Sequence, residues 1–290
     1  MNKITVQTID AFTSEPFTGN PAGVVLEADG LTDTQMQRIA REINCPETAF
    51  ILPSTVAEAD LRIRWFTPTV EVGLCGHATV AAFHALAEEG RYRLEPGTQQ
   101  ILYIETRSGV LPVSVDWRGE TRWIWLGLPV PRFEPCPEVE ELLRALGCPA
   151  DACLDLPVVL TGERDVLLGV RELAQLWALK PDWTALERAS AQSDLRGLCV
   201  FTPETIDPAN HAHSRFFAPA CGISEDPVTG SVSGPLAVWL RERGLATGER
   251  LVLEQGDSMG RPGRVHVELR PDGPRIGGEA VTVLMGQMIL

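Results

Sequence analysis

The chain has 290 residues, 44% hydrophobic and 22% charged, which is the balance of a globular protein with room for one large domain or two ordinary ones. Its 25 basic against 39 acidic residues give a formal net charge of -14, a field that repels phosphate backbones and anionic lipid, so neither nucleic acid nor a membrane is an expected partner. The start, MNKITVQTIDAF, lacks the apolar core and small-residue cleavage site of a secretory leader, and no later apolar run approaches about 18 residues, so a cytoplasmic location is expected.

In chain order, KITVQTIDAF alternates like a strand, GNPAGVVL follows a turn into a second strand, and LTDTQMQRIAREIN has the apolar spacing of a short helix. AFILP and DLRIRWF read as strands. After the apolar helix VAAFHALAEEG come ILYIETRSGVLPVSVDW and TRWIWLGLP, which read as antiparallel strands joined at glycine turns. EPCPEVEELLRALG opens a more helical second part. Seven cysteines, at 45, 75, 136, 148, 153, 199 and 221, include no C-x-x-C pair. They suggest reduced thiols, with neither a disulfide framework nor a structural metal.

The chain also carries an internal repeat. Arg64-Trp65-Phe66-Thr67-Pro68 is followed, eight positions after the proline, by Gly76-His77-Ala78-Thr79 and a helix ending AEEG. Arg215-Phe216-Phe217-Ala218-Pro219 is followed at the same distance by Pro227-Val228-Thr229-Gly230 and a helix ending RERG. Both helices are apolar on nearly every side, so each needs a sheet curled around it. The predicted class is therefore α+β in two pseudo-symmetric halves, residues 1–115 and 116–282, with the last strand, about 283–290, returning to the first half. Two such units side by side would leave a cleft, with the positive helix N-termini turned toward an anion such as a carboxylate.

Gly19-Asn20-Pro21-Ala22-Gly23-Val24, Asn44-Cys45-Pro46-Glu47-Thr48-Ala49-Phe50, Cys75-Gly76-His77-Ala78-Thr79 and Glu225-Asp226-Pro227-Val228-Thr229-Gly230-Ser231 occur in that order, with Gln255-Gly256 and Gly260-Arg261-Pro262 behind them. Together they resemble the phenazine-biosynthesis (PhzF-like) isomerase family over essentially the whole chain. The resemblance implies the diaminopimelate epimerase fold and cofactor-free chemistry, and it favours a homodimer. In the phenazine-pathway member a glutamate moves a proton within a cyclic diene carboxylic acid, and that glutamate corresponds to Glu47. Substrate-binding or proton-relay roles fall by the same resemblance on Gly76, His77, Asp226 and Ser231.

Each position also has a plainer reading. Glu47, in CPETAF, could be an exposed polar residue at a strand start; carried into an apolar cleft, it becomes a base and then an acid for a C–H bond. Asp226-Pro227 is a strong helix-start pair, Asp at the N-cap and Pro at N1, yet Glu225 beside it and Ser231 after it also fit a proton-handling or substrate role. His77 could be a helix-start histidine tied to a backbone carbonyl, or a donor to a substrate carboxylate next to the close-approach Gly76. Arg64 and Arg215 are read as structural. Racemases on this fold carry a thiol in each half. Aligning Pro68 with Pro219 sets Cys75 against Asp226, and aligning Thr79 with Thr229 sets Gly76 there, so neither register supplies a second cysteine.

The leading expectation is a cofactor-independent isomerase acting on a small carboxylate. Glu47, His77 and Asp226 handle the proton, and Gly76, Gly230 and Ser231 bind the substrate. The rivals are an amino- or hydroxy-acid racemase using Cys75 and a non-catalytic binding protein on the same fold.

Overall fold

The computed structural model describes residues 3–97, 99–136 and 138–290. In chain order the strands and helices are β1 (Lys3–Ala11), β2 (Asn20–Val25), α1 (Asp33–Ile43), β3 (Glu47–Leu52), β4 (Leu61–Phe66), β5 (Glu71–Val72), α2 (Gly76–Glu88), β6 (Gln100–Thr106), β7 (Gly109–Arg118) and β8 (Thr121–Gly127). There follow β9 (Phe133–Pro135), α3 (Val139–Leu146), β10 (Val159–Thr161), β11 (Asp165–Gly169), α4 (Leu173–Ala178), α5 (Trp183–Gln192), β12 (Gly197–Thr202), β13 (Ala212–Ala218) and β14 (Ile223–Asp226). The chain finishes with α6 (Gly230–Glu242), β15 (Arg250–Gln255), β16 (Gly263–Glu268), β17 (Arg275–Gly278) and β18 (Ala280–Ile289).

Two compact units result, one running up to Leu128 and recovering Arg275–Leu290, the other formed by Pro129–Pro274. The break at 115/116 read from the sequence cuts through β7. The first unit continues past it because β8 pairs with both β7 and β17. The return to this unit begins at Arg275 rather than near 283, since β17 already belongs to it.

In the first unit the strands run β18-β1-β2-β3-β4-β6-β7-β8-β17, with β2/β3 and β4/β6 parallel and β5 added to the other end of β4. Helix α2 touches β1, β2 and β18 from one end of this run and β8 and β17 from the other. The mixed sheet is therefore curled around it. Residues 76–87 of α2 are all buried, and the alanines at 78, 81, 82, 85 and 87 let strands close on every side. Helix α1 lies outside, held by a capping box in which Thr32 Oγ1 accepts from the Gln35 N–H and Gln35 Oε1 accepts from the Thr32 N–H. Its Met36 and Ile39 pack with Phe50 and Phe66, whose rings meet edge-on at 5.5 Å.

The second unit repeats the plan as β9-β10-β11-β12-β13-β15-β16, with β11/β12 and β13/β15 parallel and β14 on β13. Its helix α6 packs against β15 and β16 at one end of the run, while Trp239 meets Phe133 of β9 at 5.0 Å at the other. A separate core of Leu142, Leu146, Leu176, Leu186, Leu198, Val200 and Phe217 sits under α3, α4 and α5. Even the repeated arginines match: Arg64 grips Glu71 through Nε and Nη2 at 2.8 Å beside Phe66, and Arg215 grips Glu225 in the same way, also at 2.8 Å, beside Phe217.

Candidate active site

Gly19 sits at φ 61°, where a Cβ would come within 2.3 Å of the Ala11 carbonyl oxygen, so the chain turns here in a way open to glycine. The turn delivers Asn20, fully buried, to the start of β2. Parallel pairing of β2 with β3 sets Ala22 across from Glu47, which brings Glu47 to the same strand end. Cys75 and His77 arrive from the start of α2. His77 Nε2 lies 3.4 Å from Glu47 Oε2, His77 Nδ1 lies 3.1 Å from Asn20 Nδ2, and Cys75 Sγ lies 3.5 Å from the same Nδ1. Only 13% of the Glu47 side chain is exposed, so it is not the open polar residue of the plain reading. Among the described residues the His77 ring meets three side chains, those of Glu47, Asn20 and Cys75, rather than the backbone carbonyl of the plain reading.

Burial lowers the His77 imidazole from its ordinary value near 6.5 to about 3, so the ring is neutral at physiological pH. With Asn20 donating through Nδ2 to Nδ1, this hydrogen-bond network assigns the proton to Nε2, facing Glu47. Glu47, Cys75 and His77 offer donor atoms within 4.8 Å of one another, the composition of a cation site. Sγ is 3.5 Å from Nδ1 and 4.0 Å from Nε2, and Glu47 Oε2 is 3.4 Å from Nε2.

Asp226, Gly230 and Ser231 belong to the second unit. Asp226 is not the N-cap expected of it: it ends β14, and the N-cap of α6 is Thr229, with Gly230 as the first helical residue. The buried Asp226 carboxylate accepts from Thr229 Oγ1 at 2.5 Å, and Gln255 braces the turn, donating to the Asp226 carbonyl at 2.7 Å and accepting from the Thr229 N–H at 3.0 Å. Ser231 Oγ accepts from Arg196 Nη1 and Nη2, each at 3.2 Å. The N-cap side chains of α2 and α6 make no capping hydrogen bond, a common feature of two helix starts made of small residues.

A family model described as "Phenazine biosynthesis-like protein" matches residues 9–286. The chain belongs to the phenazine biosynthesis-like family. An uncharacterized isomerase of Clostridium acetobutylicum is 39% identical over 100% of this chain and 99% of its own length. A trans-2,3-dihydro-3-hydroxyanthranilate isomerase of Pseudomonas aeruginosa is 34% identical over 94% and 93%. The crystal structure of a Bacillus anthracis PhzF-family protein superposes with a TM-score of 0.87 at 34% identity, covering 100% of both chains. This PhzF-like protein is an isomerase on the fold that its repeat predicted.

The fold also fixes the register between the halves. Trp65 pairs with Val72, seven positions on, but Phe216 pairs with Asp226, ten positions on, because the second unit inserts the Pro219–Cys221 turn. Both sequence alignments of the repeat therefore miss. Counting from the first residues of α2 and α6, Cys75 corresponds to Thr229 and His77 to Ser231. The equivalence is local as well: Thr79 donates to the Cys75 carbonyl at 2.6 Å, and Ser233 to the Thr229 carbonyl at 2.8 Å. Strand pairing makes Glu47 the counterpart of Gly197. Sequence reasoning gave no role to Asn20, Gln255 or Arg196. The first two were visible inside the GNPAG and Gln255-Gly256 motifs, while Arg196 stands in no motif.

Proposed function

We propose that this isomerase moves a proton between two carbons of a small carboxylic acid, with Glu47 as the group that takes the proton and returns it. The carboxylate accepts H⁺ from a C–H bond, becomes a carboxylic acid whose proton can exchange with solvent, and delivers a proton to another carbon. The atoms balance with no further reactant. The observation that carries this reading is the neutral His77 at 3.4 Å from a largely buried Glu47. An imidazolium there would pair with the carboxylate and weaken it as a base, whereas a neutral Nε2–H only orients it. Asn20 supplies the orientation by occupying Nδ1. Gly76, Gly230 and Ser231 are proposed to bind the substrate, and Asp226 to orient it or relay a proton; its burial and its hydrogen bond from Thr229 support this role.

The rival reading is a racemase that uses Cys75 with a non-thiol second base; the residue corresponding to Cys75 in the second unit is Thr229. The test is exchange of substrate hydrogen with deuterated solvent, across a panel of unsaturated carboxylic acids beginning with trans-2,3-dihydro-3-hydroxyanthranilate, the compound in a relative's name. Exchange that survives Glu47→Gln but vanishes in Cys75→Ala would restore the thiol mechanism.

A further inference from the structure

Asp165, at the start of β11, is completely buried, and Arg196 closes on it through Nε at 2.9 Å and through a second, shorter contact from Nη2. The backbone holds Arg196 as firmly, with its N–H on the Arg164 carbonyl at 3.0 Å and its own carbonyl accepting from Cys221 Sγ at 3.6 Å. Of this ion pair the acid is wholly enclosed, while 27% of the arginine side chain is exposed, so the accessible end is the positive one. Both Nη atoms also donate to Ser231 Oγ. A hydroxyl whose lone pairs take two N–H groups keeps its own proton as its remaining hydrogen-bonding function.

The repeat supplies a second, independent observation. Ser231 occupies the position that His77 holds in the first unit, and Gly197 the position of Glu47. Glycine is required there because a Cβ at 197 would come within 2.2 Å of the Phe216 ring. Where one unit places an acid beside its helix start, the other places a guanidinium, carried by the residue just before Gly197. We propose that Arg196 is a positioning residue for the isomerase: pinned by Asp165, it fixes the Ser231 hydroxyl as an obligate donor for the substrate's carboxylate. This rests on the reading of Ser231 as a substrate-binding residue and gives that residue its ligand group.

The probes are benzoate and benzamide, equal in shape and different in charge, titrated calorimetrically into the full chain. The wild type should bind benzoate at least about tenfold more tightly than benzamide, as a charge-assisted hydrogen bond provides. Ser231→Ala and Arg196→Lys should each remove most of that preference, and the double variant should lose no more than about twofold beyond either single one, because both act through one hydroxyl. Where Arg196→Lys does not fold, the paired variant Asp165→Asn with Arg196→Gln removes both charges together and should show the same loss. Equal affinity for the two probes in the wild type, an unchanged preference in the variants, or additive losses would each overturn the assignment. Glu47→Gln separates this proposal from the acid/base reading. It should keep the benzoate preference; a Glu47→Gln protein that still isomerises defeats the glutamate mechanism and leaves Arg196 untouched.

Discussion

At the scale of single residues, Glu47 and Cys75 are neighbours of one imidazole, and substitution is the test expected to separate their roles. Glu47→Gln preserves size and hydrogen bonding but cannot exchange a proton, so solvent-deuterium exchange should fall by at least about 100-fold with ligand binding nearly unchanged. Cys75→Ala should cost about tenfold or less, and Asp226→Asn should fall between the two. His77 yields a pH prediction of definite sign. Its folded-state value is lowered to about 3 from near 6.5, so as pH falls the unfolded chain takes up a proton that the folded ring refuses. Stability is therefore lost progressively as pH falls from about 6.5 to about 3, with a slope of about 1.4 kcal/mol per pH unit at full effect. Urea unfolding across that range should show a shallower slope, by about one proton, in His77→Asn than in the wild type.

At the scale of elements, the repeated arginines tie strands to their surroundings. Arg215 joins β13 to Glu225 of β14 and caps the end of α4 by donating to the Leu176 and Leu179 carbonyls at 3.1 and 3.2 Å. Removing it leaves a largely buried carboxylate without its partner and takes a side-chain donor from two helix-end carbonyls. Arg215→Leu should destabilise the second unit by about 3–5 kcal/mol, the cost of breaking a buried pair from one side. Arg91, whose partners Glu27 and Glu89 are on the surface, is the control: Arg91→Ala should change stability by about 1 kcal/mol or less. Chemical denaturation of both variants distinguishes a structural fork from a surface ion pair.

At the scale of the whole molecule, the two units differ in how the chain builds them. Residues 129–274 are continuous and contain their own helix-covered core, whereas the first unit is completed by β17 and β18, with β18 running along β1 from Lys3 to Ala11. Expressed alone, 129–274 should therefore unfold cooperatively on heating. Residues 1–128 without 275–290 leave β1 and the underside of α2 uncovered, and should show no cooperative transition by circular dichroism. Cooperative melting of 1–128 would show that β17 and β18 are dispensable to that unit.

Local pattern was enough to predict much of this architecture. The alternating KITVQTIDAF, the periodic LTDTQMQRIAREIN and two helices with no polar side each have a single way to satisfy burial, and the repeat of Arg-aromatic-Phe segments fixed two similar halves. Linear motifs likewise pointed to Glu47 and His77. Pairing and turn length decided the rest. Whether Asp226 caps a helix or ends a strand depends on where β13 turns back, and three extra residues in that turn shift every correspondence after it. The neutral state of His77 comes from enclosure by segments far apart in sequence, with Asn20 lying 57 positions away. Arg196 carries no motif because its meaning lies in Asp165 and Ser231, which only the parallel pairing of β11 with β12 and the start of α6 bring within its reach.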